Sequence, residues 1–220
     1  MLYKTKGIVF RFTPYGETSI IVNIFTASFG LQSYIVNSVR SKSGKSKIAL
    51  YQPLTLLDLV VYHKENAGIV RIKELSCAHA YQTLSVDPTK SAIGLFMCEI
   101  LNKTVREQSH ASEMCDFIFD SMIRLDSLQH PENFHLIFLI RLSKHLGFGP
   151  FAREELSLWM MDDNEKAIID QLIDADYETR IIMKNDQRRN LLDILLRFYE
   201  SHIDSMGPIK SIQVLRQVMN

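Results

Sequence analysis

A change in hydrophobic periodicity near residue 87 constrains the fold more than any other feature of the chain. Before Val86-Asp87-Pro88 the apolar residues come in short runs rich in β-branched side chains, which are typical of strands. After it, apolar residues recur at helical spacing, and Asp87 followed by Pro88 is a favourable helix start. The chain is therefore predicted to be α+β, with a β domain over residues 1–80 and an all-α helical domain over residues 81–220.

The first domain is predicted to form a barrel. Five strand-like runs fall at residues 6–12, 18–26, 31–39, 54–63 and 68–80. Five strands of this size, with the longest connection between the third and the fourth, are typical of an OB-type Greek-key barrel. An SH3-like barrel fits the same pattern, so periodicity alone leaves the two architectures open.

The second domain is predicted to be a set of six helices. The first begins at residue 88, and the others fall at about residues 111–128, 132–146, 163–175, 188–205 and 209–218. No stretch of 18 apolar residues without charge occurs, so we expect no membrane span. The three cysteines, Cys77, Cys98 and Cys115, have neither disulfide-framework nor zinc spacing, and we expect a reducing cytoplasm.

Positive charge is concentrated in the first domain, although the whole chain has a net charge of zero. Residues 1–80 contain ten Lys or Arg against four Asp or Glu. The segment 37–54 (NSVRSKSGKSKIALYQPL) carries Arg40, Lys42, Lys45 and Lys47, and no acidic residue lies between Glu17 and Asp58. Such a segment is a solvated loop, a phosphate-binding loop or part of a nucleic-acid groove.

No motif of this sequence indicates catalysis. The run Ser43-Gly44-Lys45-Ser46 lacks the upstream Gly of a nucleotide-phosphate loop, since residue 39 is Val, and it leads to a predicted strand instead of a helix. The seven His residues are scattered, and no Cys-x-x-Cys or His-Glu-x-x-His pattern occurs. We therefore expect a protein that is not an enzyme and that has no metal and no cofactor.

The surroundings of the basic segment favour nucleic acid. Further cations lie at Lys4, Lys6 and Arg11, and again at Arg71 and Lys73, and tyrosines are interleaved at positions 3, 15, 34 and 51. Loops and strand faces of OB-type barrels commonly line a groove for single strands. We predict that Arg40, Lys42, Lys45 and Lys47 contact phosphates first and Lys4, Lys6 and Arg11 second, with Tyr34 and Tyr51 stacking on bases.

Five ordered motifs resemble the bacterial recombination mediator family RecO. Three are in the first domain: KGIVFRFTPYGETSIIVNIFT (6–26), FGLQSYIVNSVRSKS (29–43) and ALYQPLTLLDL (49–59). Two are in the second: KHLGFGP (144–150) and IKSIQVLRQVM (209–219). The resemblance covers nearly the whole chain in the family's order.

This resemblance implies an N-terminal OB-fold DNA-binding domain and a C-terminal helical domain that binds partners. It implies binding of single- and double-stranded DNA, annealing of complementary strands, and contact with RecR and with single-stranded-DNA-binding protein. These activities would help to load RecA onto coated DNA in recombinational repair, in the cytoplasm at the nucleoid. For the acidic tail of single-stranded-DNA-binding protein we expect a site at Phe138, Arg141 and Lys144.

The chain departs from the family pattern in two places. Many members carry a four-cysteine zinc module after the His-Leu-Gly-Tyr/Phe-Gly helix end, whereas residues 151–184 contain no cysteine, so no zinc is expected. Asn37-Ser38-Val39 replaces the Gly-Ala that precedes the basic loop in the family. An alternative function is a protein-interaction scaffold in which the basic segment is incidental.

Overall fold

The computed structural model describes residues 1–40, 47–64, 67–105, 110–149, 162–204 and 206–219. The strands are β1 (Leu2–Tyr15), β2 (Ser19–Thr26), β3 (Gly30–Val36), β4 (Leu56–Tyr62) and β5 (Val70–Cys77), with a 3-10 turn at Ile48–Tyr51. The helices within the described ranges are α1 (Pro88–Thr104), α2 (Ala111–Ser127), α3 (Phe134–His145), α4 (Asp163–Asp174), α5 (Asn185–His202) and α6 (Ile212–Val218). The predicted α+β class is confirmed.

The five strands close into a barrel in the order β1-β2-β3-β5-β4. Neighbouring strands are antiparallel, except for a short parallel pairing between β3 and β5 that joins Tyr34 to Val70 and Ile35 to Arg71. This topology is that of an OB-type barrel. The OB-type prediction is therefore confirmed, and the SH3-like alternative does not apply.

Strand β1 begins four residues earlier than predicted because its first half pairs with β4, from Leu2 opposite Tyr62 to Ile8 opposite Leu56. A β-bulge at Phe10 then shifts the register between Val9 and Arg11. Val9 points into the core. In a regular strand Arg11, two residues later, would point the same way, but the bulge at Phe10 turns its side chain outward. The first half of β1 thus pairs mainly with β4, and its second half pairs with β2.

The barrel core consists of alternate side chains from all five strands. Its members include Val9, Ile24, Tyr34, Leu59 and Val70. Gly7 lies where the wall is tightest, because a Cβ there would come within 2.6 Å of Ile24 Cγ2 and 2.9 Å of Leu59 Cδ1. The absence of a side chain at this position allows β2 and β4 to pack closely against β1.

The chain divides into two compact units. One consists of Met1–Tyr81 with Val105–Ile123, and the other of Gln82–Thr104 with Arg124–Asn220. The first is called the barrel unit and the second the helical unit. The first part of α2 therefore groups with the barrel, and a domain boundary between residues 80 and 81 stays a prediction.

Within the helical unit, buried polar contacts fix the start of α1. Asp87 caps α1, since its side chain accepts hydrogen bonds from the amides of Thr89 (2.8 Å) and Lys90 (3.1 Å), as predicted. The carboxylate of Asp126 accepts from the backbone amides of residues 82–84, and the buried ammonium of Lys90 donates to the carbonyl of Asp126 at 2.7 Å. The segment that enters the helical unit is thus held by a satisfied polar network. No helix among the described residues is long and apolar enough to cross a membrane.

Candidate nucleic-acid interface

The basic segment leaves the barrel core at one buried residue and returns to it at another. Val39, just after β3, and Tyr51, in the 3-10 turn, both belong to the barrel core. Ser38 has a left-handed φ of 59°, which turns the chain directly after β3 and explains why this strand ends before residue 39. Packing, and not charge, therefore fixes where the two ends of the segment lie.

Two of the four predicted cations of the segment are described. The amide of Arg40 donates to the carbonyl of Thr18 at 2.8 Å, and its guanidinium Nη1 donates to the carbonyl of Gly16 at 3.3 Å. Arg40 is thereby held, exposed, beside the β1–β2 turn, and Lys47 is exposed just before the 3-10 turn. Lys42 and Lys45 lie outside the described residues, and their part in binding stays a prediction.

Strand pairing places Arg11 and Arg71 on one outer surface of the barrel. Side chains of directly paired residues share a face of the sheet. One row across β1, β2 and β3 consists of Arg11, Asn23 and Ser33, and the next row, which extends to β5, consists of Thr13, Ile21, Ile35 and Arg71. Arg40 flanks the same rows at the β1–β2 turn. We call Arg11, Arg40, Lys47 and Arg71 the cationic set.

Lys4 and Lys6 lie in a different setting, on the half of β1 that pairs with β4. Lys6 is paired with Asp58 across the strands, its Nζ lies 3.6 Å from a carboxylate oxygen of Asp116 in α2, and it stands 5.6 Å from the centre of the Phe119 ring. Lys4 is in a row with Val60 and the acidic Glu74. Asp58 and Asp116 lie close to Lys6, and Glu74 is in the row of Lys4, so both lysines are left out of the cationic set.

The structure contradicts the prediction that Tyr34 and Tyr51 stack on bases. The inward position of Tyr34 on β3 leaves it 0% exposed, and Tyr51 is also buried in the core. Burial raises the pKa of both phenols. Both rings are structural: Tyr34 fills the barrel, and Tyr51 anchors the end of the basic segment.

Sequence reasoning gave too little weight to Arg71, a member of the cationic set, and to Tyr15, which lies close to Arg40. Arg71 joins the surface only because β5 pairs in parallel with β3, a long-range pairing that no local pattern reveals. Tyr15 is exposed at the end of β1, in the row with Ser19, beside the turn that holds Arg40. In the sequence, the charge of Arg71 and the aromatic ring of Tyr15 were the only local signs that either residue could take part in binding.

In the helical unit, the predicted partner residues do not form one surface. Phe138 is fully buried in α3, which contradicts its placement in a surface pocket. The guanidinium of Arg141 donates to the carbonyl of Ala175 at 2.8 Å and lies 4.9 Å from the centre of the Tyr177 ring. Lys144 is exposed at the end of α3. Apolar helical spacing fits a buried position as well as a groove, and here burial applies to Phe138.

A cavity of about 590 Å³ is lined in part by Tyr177, in the same unit. The Tyr177 ring stacks on Phe134 at 4.1 Å and forms one wall with it. Arg188 is 9% exposed in the cavity lining, and its two hydrogen bonds go to the neutral amides of Asn133 (3.0 Å) and Asn185 (2.6 Å). The rest of the lining includes Arg180, Ile181, Ile182, Met183, Glu132 and Glu178.

The electrostatics of this cavity suit a carboxylate. Burial lowers the pKa of Arg188, although the charge of Glu132 acts in the opposite direction, so the guanidinium is poorly solvated. Glu178 is engaged by Arg124 at 2.6 Å. A ligand with a carboxylate and an apolar side chain would add a charged acceptor for Arg188, whose described side-chain hydrogen bonds go to neutral amides. Among the described residues, no group of His, Cys, Asp and Glu side chains is placed to hold a metal ion.

Comparison with known proteins agrees with this architecture. Residues 1–81 match the family "Recombination protein O N terminal", and residues 85–155 match the family "Recombination protein O C terminal". The chain is 32% identical over 238 residues to the DNA repair protein RecO of Flavobacterium psychrophilum, with 100% of each chain covered. It is 31% identical over 242 residues to the DNA repair protein RecO of Bacteroides fragilis, again with 100% of each chain covered.

Similarity extends to more distant relatives. The DNA repair protein RecO of Porphyromonas gingivalis is 26% identical over 240 residues, with 98% of each chain covered. The closed barrel lies within the first family match, α1 to α3 lie within the second, and the relatives align with the chain over its full length. This chain, with its positive barrel surface, belongs to the RecO family of DNA repair proteins.

Proposed function

We propose that this protein is a recombination mediator that binds and anneals single-stranded DNA and helps to load RecA onto DNA coated by single-stranded-DNA-binding protein. The observation that supports the proposal is that Arg11 and Arg71 lie on neighbouring rows of one outer barrel surface, with Arg40 hydrogen-bonded at the adjacent β1–β2 turn. Membership of a family of DNA repair proteins supports the choice of DNA as the ligand.

The proposed mechanism requires no covalent step. Arg and Lys side chains neutralise phosphates and release counterions, so binding is largely independent of sequence and weakens with salt. Neutralising the phosphates of two strands lowers their mutual repulsion, which lets complementary bases pair. Double-stranded DNA offers the same phosphates and is expected to bind at the same surface.

Fluorescence anisotropy with a labelled single strand across a salt series tests this assignment. Reversing the cationic set by Arg11→Glu, Arg40→Glu, Lys47→Glu and Arg71→Glu removes about four phosphate contacts, and the slope of log K against log salt should then become shallower by about 3. The same variant should anneal complementary labelled strands more slowly at equal protein concentration.

A matched control reverses four exposed cations of the helical unit, where acidic residues are more frequent: Lys166, Lys184, Arg197 and Lys210. Because the two variants have the same net charge, only a local surface distinguishes them. An equal loss of DNA binding in both would show that overall charge dominates and would overturn the surface assignment. A third variant, Lys42→Glu with Lys45→Glu, tests the two cations outside the described residues.

We propose further that the acidic tail of single-stranded-DNA-binding protein binds in the cavity beside Arg188. The buried guanidinium supplies the cation, the exposed Arg180 supplies a second, and Ile181, Ile182 and Met183 supply an apolar wall. Arg141 contacts the ring of Tyr177, which also lines the cavity. This cavity replaces the earlier expectation for Phe138 and Lys144.

A peptide with the tail sequence and a fluorescent label tests the cavity. Ile182 is 87% exposed, so Ile182→Glu should not disturb folding, yet it places a like charge in the path of an acidic peptide and should weaken binding by at least tenfold. Leu95→Glu, at an exposed apolar position of α1 outside the lining, is the control and should bind normally. Equal binding by both variants would exclude the cavity as the tail site.

A protein-interaction scaffold is the second candidate, favoured by the same cavity. A scaffold would retain peptide binding but show no affinity for DNA even at low salt, which the anisotropy series detects. Contact with RecR is part of the proposed mediator function. It is tested by co-elution of the two proteins and by RecA filament assembly on coated DNA with and without RecR.

A further inference from the structure

Three aromatic rings are in mutual contact at the end of the barrel where β1 begins. Phe29 and His63 lie face to face, with centroids 3.9 Å apart and planes 8° from parallel. Tyr3 stands nearly perpendicular to both, 5.2 Å from Phe29 and 5.9 Å from His63. We call Tyr3, Phe29 and His63 the aromatic cluster.

The backbone holds this cluster in place before any ligand arrives. Tyr3 is paired with Val61 in the β1–β4 ladder, and the amide of His63 donates to the carbonyl of Met1 at 3.1 Å. The amide of Phe29 donates to Oγ1 of Thr26 at 3.1 Å, and that hydroxyl donates to the carbonyl of Gly30 at 3.0 Å. A ring surface fixed in this way loses little conformational entropy when a ligand stacks on it.

The cluster is only partly needed to close the barrel. Phe29 packs against the barrel core and supplies the closure. Tyr3 remains 38% exposed, and its hydroxyl donates to the sulfur of Met1 at 3.2 Å, its one hydrogen bond within the described ranges. Leu2 and Tyr62, which are paired at the same end, are exposed as well. This end of the barrel therefore keeps aromatic surface in water that packing does not require.

Positive charge lies next to this aromatic surface. Lys64, which is exposed, follows directly on His63, and the N-terminal ammonium lies 3.4 Å from the carbonyl of His63. The one acidic neighbour in sequence is Glu65. Exposed rings beside positive charge are the combination that binds single-stranded nucleic acid, because bases stack on the rings while phosphates meet the cations.

We propose that Tyr3, supported by Phe29 and His63, is a stacking platform for an unpaired base of a bound single strand. The proposal rests on the proposed DNA-binding function and adds a second kind of contact to it. The cationic set meets phosphates whatever the bases are, whereas the platform responds only to a strand that carries bases and leaves them unpaired. It thereby gives the barrel a preference for single strands over duplex.

The test compares two labelled oligonucleotides of equal length and charge, one of oligo-dT and one abasic throughout. The wild-type protein should bind oligo-dT about tenfold more tightly than the abasic strand. Tyr3→Leu keeps an apolar side chain but removes the aromatic face, so it should bind both strands at the abasic level with an unchanged salt slope. Tyr3→Phe should retain the preference, as should Tyr62→Leu, which removes an exposed ring outside the cluster.

The results distinguish failure of the proposed DNA-binding function from failure of the stacking platform alone. If the wild-type protein binds neither strand at low salt, the proposed function fails. If it binds both equally, or if Tyr3→Leu keeps the preference for oligo-dT, DNA binding stands and the platform is overturned, and the patch is then open to a protein partner. Thermal melts of the variants serve as the folding control, and 2-aminopurine in the oligonucleotide reports stacking directly through its quenching.

Discussion

His135 is 1% exposed in α3, and its Nδ1 has no hydrogen-bond partner among the described residues. Burial, together with the charge of Arg188, lowers the pKa of this imidazole to about 3. The folded protein therefore keeps His135 neutral at a pH where an unfolded chain, with a pKa near 6.5, takes up a proton. Its contribution to stability is present above pH 6.5 and is lost as the pH falls towards 3.

We predict that the free energy of unfolding decreases by about 1.4 kcal/mol between pH 7.5 and pH 5.5 through this one group. The reason is that the unfolded state gains a proton in this window and the folded state does not. Urea unfolding at the two pH values measures the decrease, and His135→Leu should reduce it. An equal decrease in the variant would assign the pH dependence to other groups.

Tyr34 carries a second buried polar atom without a partner. Its hydroxyl lies inside the barrel and makes no hydrogen bond to a described residue. An unsatisfied buried hydroxyl costs about 1 to 3 kcal/mol, whereas its removal leaves the ring packing unchanged. We predict that Tyr34→Phe raises the free energy of unfolding by about 1 kcal/mol.

Chemical denaturation of the barrel variants checks this prediction, and DNA binding should be unaffected because the ring does not reach the surface. Tyr34→Ala is the contrasting variant, since it empties a large volume in the core and should cost about 3 to 5 kcal/mol. A loss of stability in Tyr34→Phe would mean that the hydroxyl has a partner outside the described residues.

At the scale of elements, the C-terminal helix α6 depends on α1 for its start. The carboxylate of Glu99 accepts hydrogen bonds from the amides of Lys210 (3.0 Å) and Ser211 (2.7 Å) and from Oγ of Ser211 (2.6 Å). Burial raises the pKa of Glu99, but these hydrogen bonds outweigh it, and the pKa is lowered overall. The contact is therefore present at neutral pH, and its contribution to stability declines as the pH falls from the ordinary Glu pKa towards the lowered pKa of the folded state.

We predict that Glu99→Ala loosens α6 and costs about 1 to 2 kcal/mol, because it leaves the donors of residues 210 and 211 without their acceptor. Hydrogen exchange should become faster at the amides of Ile212–Val218, while the barrel strands keep their protection. Glu113→Ala, at an exposed position of α2, is the control and should leave both regions unchanged. Unchanged exchange in Glu99→Ala would show that apolar packing alone holds α6.

The strands and helices were largely predictable from the sequence, but which of their side chains point into the core was not. Apolar spacing and turn residues predicted five strands and six helices in the observed order. On β3, however, Leu31, Ser33 and Ile35 alternate with Gln32, Tyr34 and Val36, so each face is half polar and the core side is undetermined. Tyr34 was predicted to stack on bases because it is interleaved with the cations, and the alternation did not exclude a surface position. Which face of β3 points into the core is decided by closure of the barrel, because closure depends on pairing between residues that are distant in sequence.

At the scale of the whole molecule, the zero net charge of the chain says little about DNA binding, because phosphate contacts are local. The cationic set contributes about four contacts, and Lys42 with Lys45 raises the number to about six. We predict a slope of log K against log salt of about −3 to −4 for single strands and about −4 to −5 for duplex. Titrations at four or more salt concentrations measure both slopes.

A slope near zero would contradict phosphate-directed binding, and a slope much steeper than these values would indicate that Lys4 and Lys6 also take part. The sequence placed positive charge in the first eighty residues, but it did not separate these two lysines from the others. The separation arises because α2 brings Asp116 to Lys6 and because β4 and β5 place Asp58 and Glu74 on the same rows. All three acidic residues are distant in sequence from the two lysines.

The short parallel pairing between β3 and β5, here called the seam, is expected to limit how quickly the barrel forms. The β1–β2, β2–β3 and β4–β5 pairings join strands that follow one another along the chain, whereas the seam joins only two residue pairs across a long intervening stretch. Closing such a loop costs entropy before many contacts repay it. We expect the antiparallel ribbons to form early, and closure of the seam, together with the β1–β4 pairing, to set the refolding rate of the barrel.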